Sequence, residues 1–231
     1  MTLAVLSSFF VDWLAVGLEW RKIKPASKTL AMVMVIFWTL VGVRCSPDAL
    51  IILLLLAQLF GLMGDIFLLF PDRWFFAGLG AFLLGHLLYG GLILIGIFSF
   101  AKMESTSNSL LVPMIISLLF WGMVLVIIYR IFKRENFINH TKGKLLWILV
   151  QVYCCVLSGV AALFVFWYFI QSEPEFQMVL LPVGGILFLL SDTLLAYNRF
   201  ILPIPKGHLW IHITYHLAQF SLAAGFLAFL A

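Results

Sequence analysis

Eight apolar stretches follow one another along the chain, and each is about long enough to cross a membrane as a helix. They cover residues 3–20, 28–44, 49–70, 74–100, 110–132, 145–170, 177–198 and 208–230. A transmembrane helix needs about 20 mostly apolar residues, and it satisfies its backbone hydrogen bonds internally. The polar links between the stretches are too short for a soluble domain. We therefore predict an all-α, polytopic membrane protein in which residues 1–231 form a single bundle of eight transmembrane helices.

The composition excludes an ordinary soluble domain. Hydrophobic residues make up 64% of the chain and charged residues 10%, against about 45–50% and about 25% in soluble proteins. The basic residues lie in short links, where they set topology, so we expect membrane lipids and no nucleic acid as partners. Cys45, Cys154 and Cys155 lack the spacing of a zinc site or a CxxC motif, which indicates helix packing.

The distribution of Lys and Arg predicts how the helices are oriented. Of the fourteen Lys and Arg residues, twelve lie in the odd-numbered links, with Lys28 counted in the first link. Only Arg44 and Lys102 lie in the even-numbered links. The positive-inside rule places the odd links in the cytoplasm, so both termini are predicted to face the opposite side. Such a protein is expected in a bacterial inner membrane or, in a eukaryote, in the endoplasmic reticulum.

Two aspartates lie inside apolar stretches. Asp65 and Asp192 each come six residues before a predicted helix end, at Pro71 and Asn198, which is about 9 Å of helical rise. Both helices are predicted to run towards the cytoplasm, so the two carboxyl groups should meet at a similar depth in the cytoplasmic half of the membrane. Ionisable residues inside a membrane usually mark a functional site.

A short pattern follows each aspartate. "HLLY" begins 21 residues after Asp65, and "HITY" begins 20 residues after Asp192. A His and a Tyr three residues apart share one helix face. The match suggests two parallel four-helix repeats, residues 1–106 and 107–231.

Other polar residues inside the stretches allow two interpretations. We expect Asp12 to face the interior of the bundle and to form hydrogen bonds there. For His86, His212 and His216, hydrogen bonding between helices and a place in a functional site are both open.

The segments around the aspartates resemble a known family. "GDIFLLFPDRWFFAGLGAFLLGHLLY", "LSDTLLAYNRF" and "YHLAQFSLAAG" are similar to signature segments of the YhhN-type lysoplasmalogenases, as is Lys24–Pro25 at the start of the second helix. One departure is Gly85, where alanine is expected. The resemblance extends over the whole chain. It implies a hydrolase without a metal or other cofactor that cleaves the vinyl ether bond of lysoplasmalogens, which are single-chain lysophospholipids.

The resemblance also implies the products and the site. The products are a fatty aldehyde and glycerophosphoethanolamine or glycerophosphocholine, and Asp65 and Asp192 are the catalytic pair. The substrate-binding positions that it implies are His86, Tyr89, Tyr215 and Gln219.

The chemistry of vinyl ethers suits two carboxyl groups. Protonation of the β-carbon gives an oxocarbenium ion, which water converts to a hemiacetal that collapses to the aldehyde. The reaction needs a proton donor, a negative charge and a base, and two carboxyl groups in different protonation states supply them, as in glycosidases. We expect His86 or His216 to tune the pair or to orient water, and Tyr89 and Tyr215 to donate hydrogen bonds. At the cytoplasmic ends of helices, Lys24, Arg73 and Arg199 are candidate partners of the headgroup phosphate.

Two other functions remain open from the sequence. The histidines and aspartates, with His212 and His216 four residues apart, suggest a metal-dependent membrane hydrolase. Parallel repeats and intramembrane acids also occur in transporters of lipids or small molecules.

Overall fold

The architecture of the protein was obtained as a computed structural model. The structure describes residues 1–20, 22–43, 48–70, 72–103, 110–133, 137, 143–171 and 176–230, without the side chains of residues 72 and 101–103. Some residues used in the predictions above lie outside this description, namely Arg44, Cys45, Pro71 and the side chain of Lys102.

Eight α-helices of 16 residues or more account for most of the described chain. They are α1 (Thr2–Gly17), α2 (Lys24–Gly42), α3 (Ala49–Leu69), α4 (Phe75–Met103), α5 (Leu111–Ile131), α6 (Lys144–Ile170), α7 (Leu180–Phe200) and α8 (Gly207–Phe229). Short 3-10 helices, Asp72–Trp74 and Phe176–Val179, precede α4 and α7. The described residues form no strand, and the prediction of an all-α fold is confirmed.

The second helix begins earlier than predicted. It starts at Lys24, with Pro25 in its first turn, where the missing N–H of proline leaves no hydrogen bond unmade. Lys28 therefore belongs to the second turn of α2 and is buried, and its assignment to the first link is wrong. This shift moves one cation from the membrane surface into the bundle.

The predicted equal distances from the aspartates to their helix ends are also wrong. Helix α3 stops at Leu69, because Phe70, which precedes a proline, takes an extended backbone. Helix α7 continues through Asn198, whose side chain instead accepts a hydrogen bond from the Ile204 N–H at 2.8 Å. Asp65 thus lies about 6 Å, and Asp192 about 12 Å, from the end of its helix along the axis.

Six helices, α2 to α7, are long and apolar enough to cross a membrane. The chain is therefore an integral, multi-pass membrane protein. Helix α1 has only 16 residues, and α8 is less apolar because it carries three histidines and a glutamine. Membrane crossing by these two helices, and the side on which the termini lie, stay predictions.

The helices pack in a closed order. Helices α2, α3, α4, α6, α7 and α8 each contact the next, and α8 contacts α2, which closes a ring. Helix α1 packs against α2 and α8, and α5 packs against α6. The order within α1–α4 resembles that within α5–α8, which is compatible with the predicted repeats, although the repeats themselves stay a prediction.

Glycines permit two of the closest contacts in the ring. A β-carbon added at Gly184 would lie 2.9 Å from the backbone nitrogen of Leu222 on α8. One added at Gly85 would lie 2.9 Å from the carbonyl oxygen of Ala57 on α3. The second contact explains why glycine stands where the family resemblance leads one to expect alanine, since a methyl group would push α3 and α4 apart.

Candidate active site

Asp65 lies inside the ring and is paired with a lysine. Its side chain is fully buried, and Lys28 Nζ lies 2.9 Å from Oδ1. The Tyr215 hydroxyl donates to Oδ2 at 2.7 Å, and Gln219 Nε2 donates to the Tyr215 oxygen at 3.3 Å. Helices α2, α3 and α8 thus hold the Asp65 carboxylate in one orientation. Lys28 balances its charge, without which burial of a carboxylate is costly.

Asp192 takes a neutral partner. The Tyr153 hydroxyl of α6 donates a hydrogen bond to Asp192 Oδ2. Asp192 is 6% exposed, and the charges of Lys28 and Asp65 are near enough to act on its carboxyl group. Both aspartates therefore accept a hydrogen bond from a tyrosine hydroxyl, and Asp65 differs from Asp192 in having Lys28 as a direct ion-pair partner.

A second polar cluster joins α1 to this environment. Asp12 is fully buried, accepts a hydrogen bond from Ser27 Oγ at 2.7 Å, and has His212 Nδ1 at 2.6 Å. Trp13 Nε1 donates to His216 Nδ1 at 3.1 Å. The prediction that Asp12 faces the interior and forms hydrogen bonds is confirmed. His216 is bound to α1, and a role in tuning the carboxyl pair stays a prediction.

His86 and Tyr89 lie among aromatic rings. His86 Nδ1–H donates to the Phe82 carbonyl at 2.9 Å, and its ring centre lies 4.0 Å from that of Phe188, one turn before Asp192. The Tyr89 ring stacks on Phe226 at 5.2 Å. Among the described residues, neither His86 Nε2 nor the Tyr89 hydroxyl has a hydrogen-bond partner. Their place in substrate binding therefore stays a prediction.

The predicted phosphate partners lie at one end of the bundle. Lys24 is half-buried in the first turn of α2, and Arg199 is exposed in the last turn of α7. The Arg199 guanidinium lies 5.1 Å from the centre of the Phe75 ring. Arg73 stacks over Trp74 at 6.0 Å. These contacts are compatible with packing as well as with phosphate binding.

An apolar cavity reaches Asp192. It has a volume of 290 Å³ and lies between α4, α6 and α7. Asp192 and Tyr153 are part of its wall, and the remaining lining residues are apolar. A larger cavity of 460 Å³ lies between α5 and α6, where the described lining residues carry no acidic or basic side chain.

The described residues contain no group of three or more His, Cys, Asp or Glu side chains arranged to hold a metal ion. The histidines and aspartates considered for a zinc site are instead distributed over separate contacts. His212 contacts Asp12, His86 contacts its own helix backbone, and Asp192 contacts Tyr153.

Sequence reasoning missed two of the residues that contact the aspartates. Pro25 was a usable signal for Lys28, because proline favours the first turn of a helix and would have placed Lys28 inside α2. Tyr153 had no comparable signal. It is one of several aromatic residues in α6, and only the packing of α6 against α7 brings it to Asp192.

Comparison with known proteins gives one match. Residues 23–226 match the sequence model of the YhhN family, which covers most of the chain and leaves α1 outside. No curated protein and no solved structure matches the chain.

Proposed function

Since the chain belongs to the YhhN family, we propose that it hydrolyses the vinyl ether bond of lysoplasmalogens. The products are a fatty aldehyde and glycerophosphoethanolamine or glycerophosphocholine. The observation that carries this proposal is a pair of buried carboxyl groups with different partners. One of the two carboxyl groups, that of Asp192, lines an apolar cavity. A single-chain lipid with a reactive bond next to its chain suits that arrangement.

The different partners support different roles for the two aspartates in this proposal. Each aspartate contacts a residue on the preceding helix, which is the cation Lys28 for Asp65 and the phenol Tyr153 for Asp192. A nearby cation favours the ionised form of a carboxyl group, whereas burial without a paired cation favours the form that holds a proton. Asp192 is therefore the proton donor, and Asp65 is the fixed negative charge.

The proposed reaction returns Asp192 to its starting protonation state. The Asp192 carboxyl group gives its proton to the β-carbon of the vinyl ether, and the resulting oxocarbenium ion is stabilised by the Asp65 carboxylate. Water adds to the cation carbon while the Asp192 carboxylate takes a proton from it, as the acid of a retaining glycosidase later acts as a base. The hemiacetal transfers its hydroxyl proton to the glycerol oxygen, and the bond between that oxygen and carbon breaks. One water molecule is consumed for each aldehyde.

In this proposal, the headgroup of the lipid binds at one end of the bundle. Lys24 and Arg199 lie at the end where α2 begins and α7 ends, and their charges suit a phosphate. The positive-inside rule places that end, and with it the active site, on the cytoplasmic side. The vinyl ether of a lysoplasmalogen is separated from its phosphate only by glycerol, which matches a site about 12 Å below the end of α7.

Substrate selectivity tests the proposal. The purified protein is incubated with a 1-alkenyl lysophospholipid, the matched 1-acyl lysophospholipid and the matched diradyl plasmalogen, and the products are measured by mass spectrometry. We expect aldehyde from the first lipid alone, because an ester offers no alkene carbon to protonate and a second chain must fit between closely packed helices. Comparable hydrolysis of the acyl ester, or transport without any product, contradicts the proposal.

A further inference from the structure

We infer that the cavity between α4, α6 and α7 binds the hydrocarbon chain of the lipid, with the chain passing between α4 and α6 to the surrounding membrane. This inference rests on the proposed function for the identity of the lipid. It adds a specificity site for the lipid chain, in which apolar residues of α4 and α6 extend the wall that Asp192 and Tyr153 begin.

The cavity opens on the outer surface of the bundle. Phe76 on α4 and Val152 on α6 both line it, and they are 52% and 54% exposed. Both helices are long and apolar enough to cross a membrane, so this surface faces lipid. A chain can therefore enter sideways from the membrane and does not have to cross the water layer.

The lining suits methylene groups and places them beside the reacting carboxyl group. Leu83, Val152 and Cys154 lie on the two helices that flank the opening, and Asp192 and Tyr153 belong to the same wall. Apolar walls favour a hydrocarbon chain over a charged headgroup, because a buried phosphate would meet no cation among the described lining residues. The first methylenes after the vinyl ether then fill the cavity while the ether stays beside Asp192.

The larger cavity between α5 and α6 fits this role less well. Its lining includes Ser117 and Trp121 but neither aspartate. A chain bound there would have no reacting group in the wall that holds it.

Gly80 gives a way to fill the chain site without disturbing the bundle. It lines the cavity, and a β-carbon added there would have no heavy atom of the described residues within 4 Å. Gly91 offers the matched control, because it has the same open surroundings and lies outside the cavity lining. It also lies on the same face of α4, about three turns further along.

The experiment measures chain binding directly. The probe is a 1-acyl lysophosphatidylcholine with a diazirine in the first half of its acyl chain, added to the purified full-length protein. Irradiation should label peptides that contain residues 75–83 and 146–154. The probe chain reaches the cavity from a detergent micelle, which is as apolar as the cavity walls. The effect of Gly80→Leu therefore comes from the space that its side chain fills, and we expect this variant to lose the labelling of these peptides. Gly91→Leu should bind as the wild type does.

Labelling of the wild-type protein needs no variant and remains informative if Gly80→Leu does not fold. Two results would contradict lipid-chain binding in the cavity between α4, α6 and α7. One is labelling at the cavity between α5 and α6, and the other is equal probe binding by Gly80→Leu and the wild type. Aldehyde release by the wild type is scored separately. If the wild type releases no aldehyde but the probe labels α4 and α6, the proposed function fails and the chain site stands.

Discussion

Replacement of Lys28 with methionine tests the buried ion pair on which Asp65 depends. The two side chains are 10% and 0% exposed. At their separation of 2.9 Å, two unit charges attract by about 6 kcal/mol with an effective dielectric constant of about 20. Much of that attraction offsets the removal of both charges from water. Loss of one partner costs about 3–5 kcal/mol, because the other charge is left buried and uncompensated.

The free energy of unfolding measures this cost. We expect Lys28→Met and Asp65→Asn each to destabilise the protein in detergent by about 3–5 kcal/mol. The double variant should recover about 2–3 kcal/mol of the summed loss, since it leaves no unpaired charge. Lys22→Met is the control, because Lys22 is exposed just before the same helix. Unfolding followed by tryptophan fluorescence gives the free energies of unfolding of the wild type and the four variants.

Two results would refute the reasoning. One is strict additivity of the single variants, which would mean that Lys28 and Asp65 do not interact. The other is a Lys28→Met protein that is as stable as Lys22→Met, which would mean that Lys28 reaches water. We expect the double variant to recover stability but not aldehyde release, because the proposed chemistry still needs the Asp65 charge.

Three further predictions concern chemistry and packing. Tyr153→Phe should slow aldehyde release from a 1-alkenyl lysophospholipid at least about tenfold, because Asp192 becomes a carboxylate as it gives up its proton and a hydrogen bond to a charged group contributes about 1.5–3 kcal/mol. An unchanged kcat would show that Tyr153 takes no part in catalysis. Asp12→Ala should lower the free energy of unfolding by about 1–3 kcal/mol, because Ser27 and His212 lose a buried partner, and wild-type stability would contradict this. Chelators should leave aldehyde release unchanged, whereas loss that zinc restores would favour a metal-bound water as the nucleophile.

The sequence predicted the helices well and some of their contacts poorly. Apolar stretches of about 20 residues determine where helices form, because backbone groups in lipid must be satisfied within each helix. The interior position of Asp12 followed from the same reasoning, since a carboxylate facing lipid would be too costly. Hydropathy alone misplaced Lys28, because a cation at the edge of an apolar stretch is normally a surface residue.

Contacts between helices were not readable from one sequence. The pairing of Tyr215 with Asp65, rather than with the aspartate of its own motif, depends on how α8 packs between α7 and α2. The role of Tyr153 depends in the same way on α6 packing against α7. Hydrophobic patterns give each helix its extent, but the distinction between the two carboxyl groups comes from neighbours far away in the chain.

The most direct test of the account is the rate of aldehyde release by Asp192→Asn. Asparagine keeps the shape of the side chain and can still accept the Tyr153 hydrogen bond, but it has no carboxyl proton to give. General acid catalysis contributes about 10²–10⁴-fold, so the account predicts a loss of kcat in that range on a 1-alkenyl lysophospholipid, with unfolding like that of the wild type. A kcat within about twofold of the wild type would contradict the assignment of Asp192 as the proton donor, because removal of a general acid causes a far larger loss.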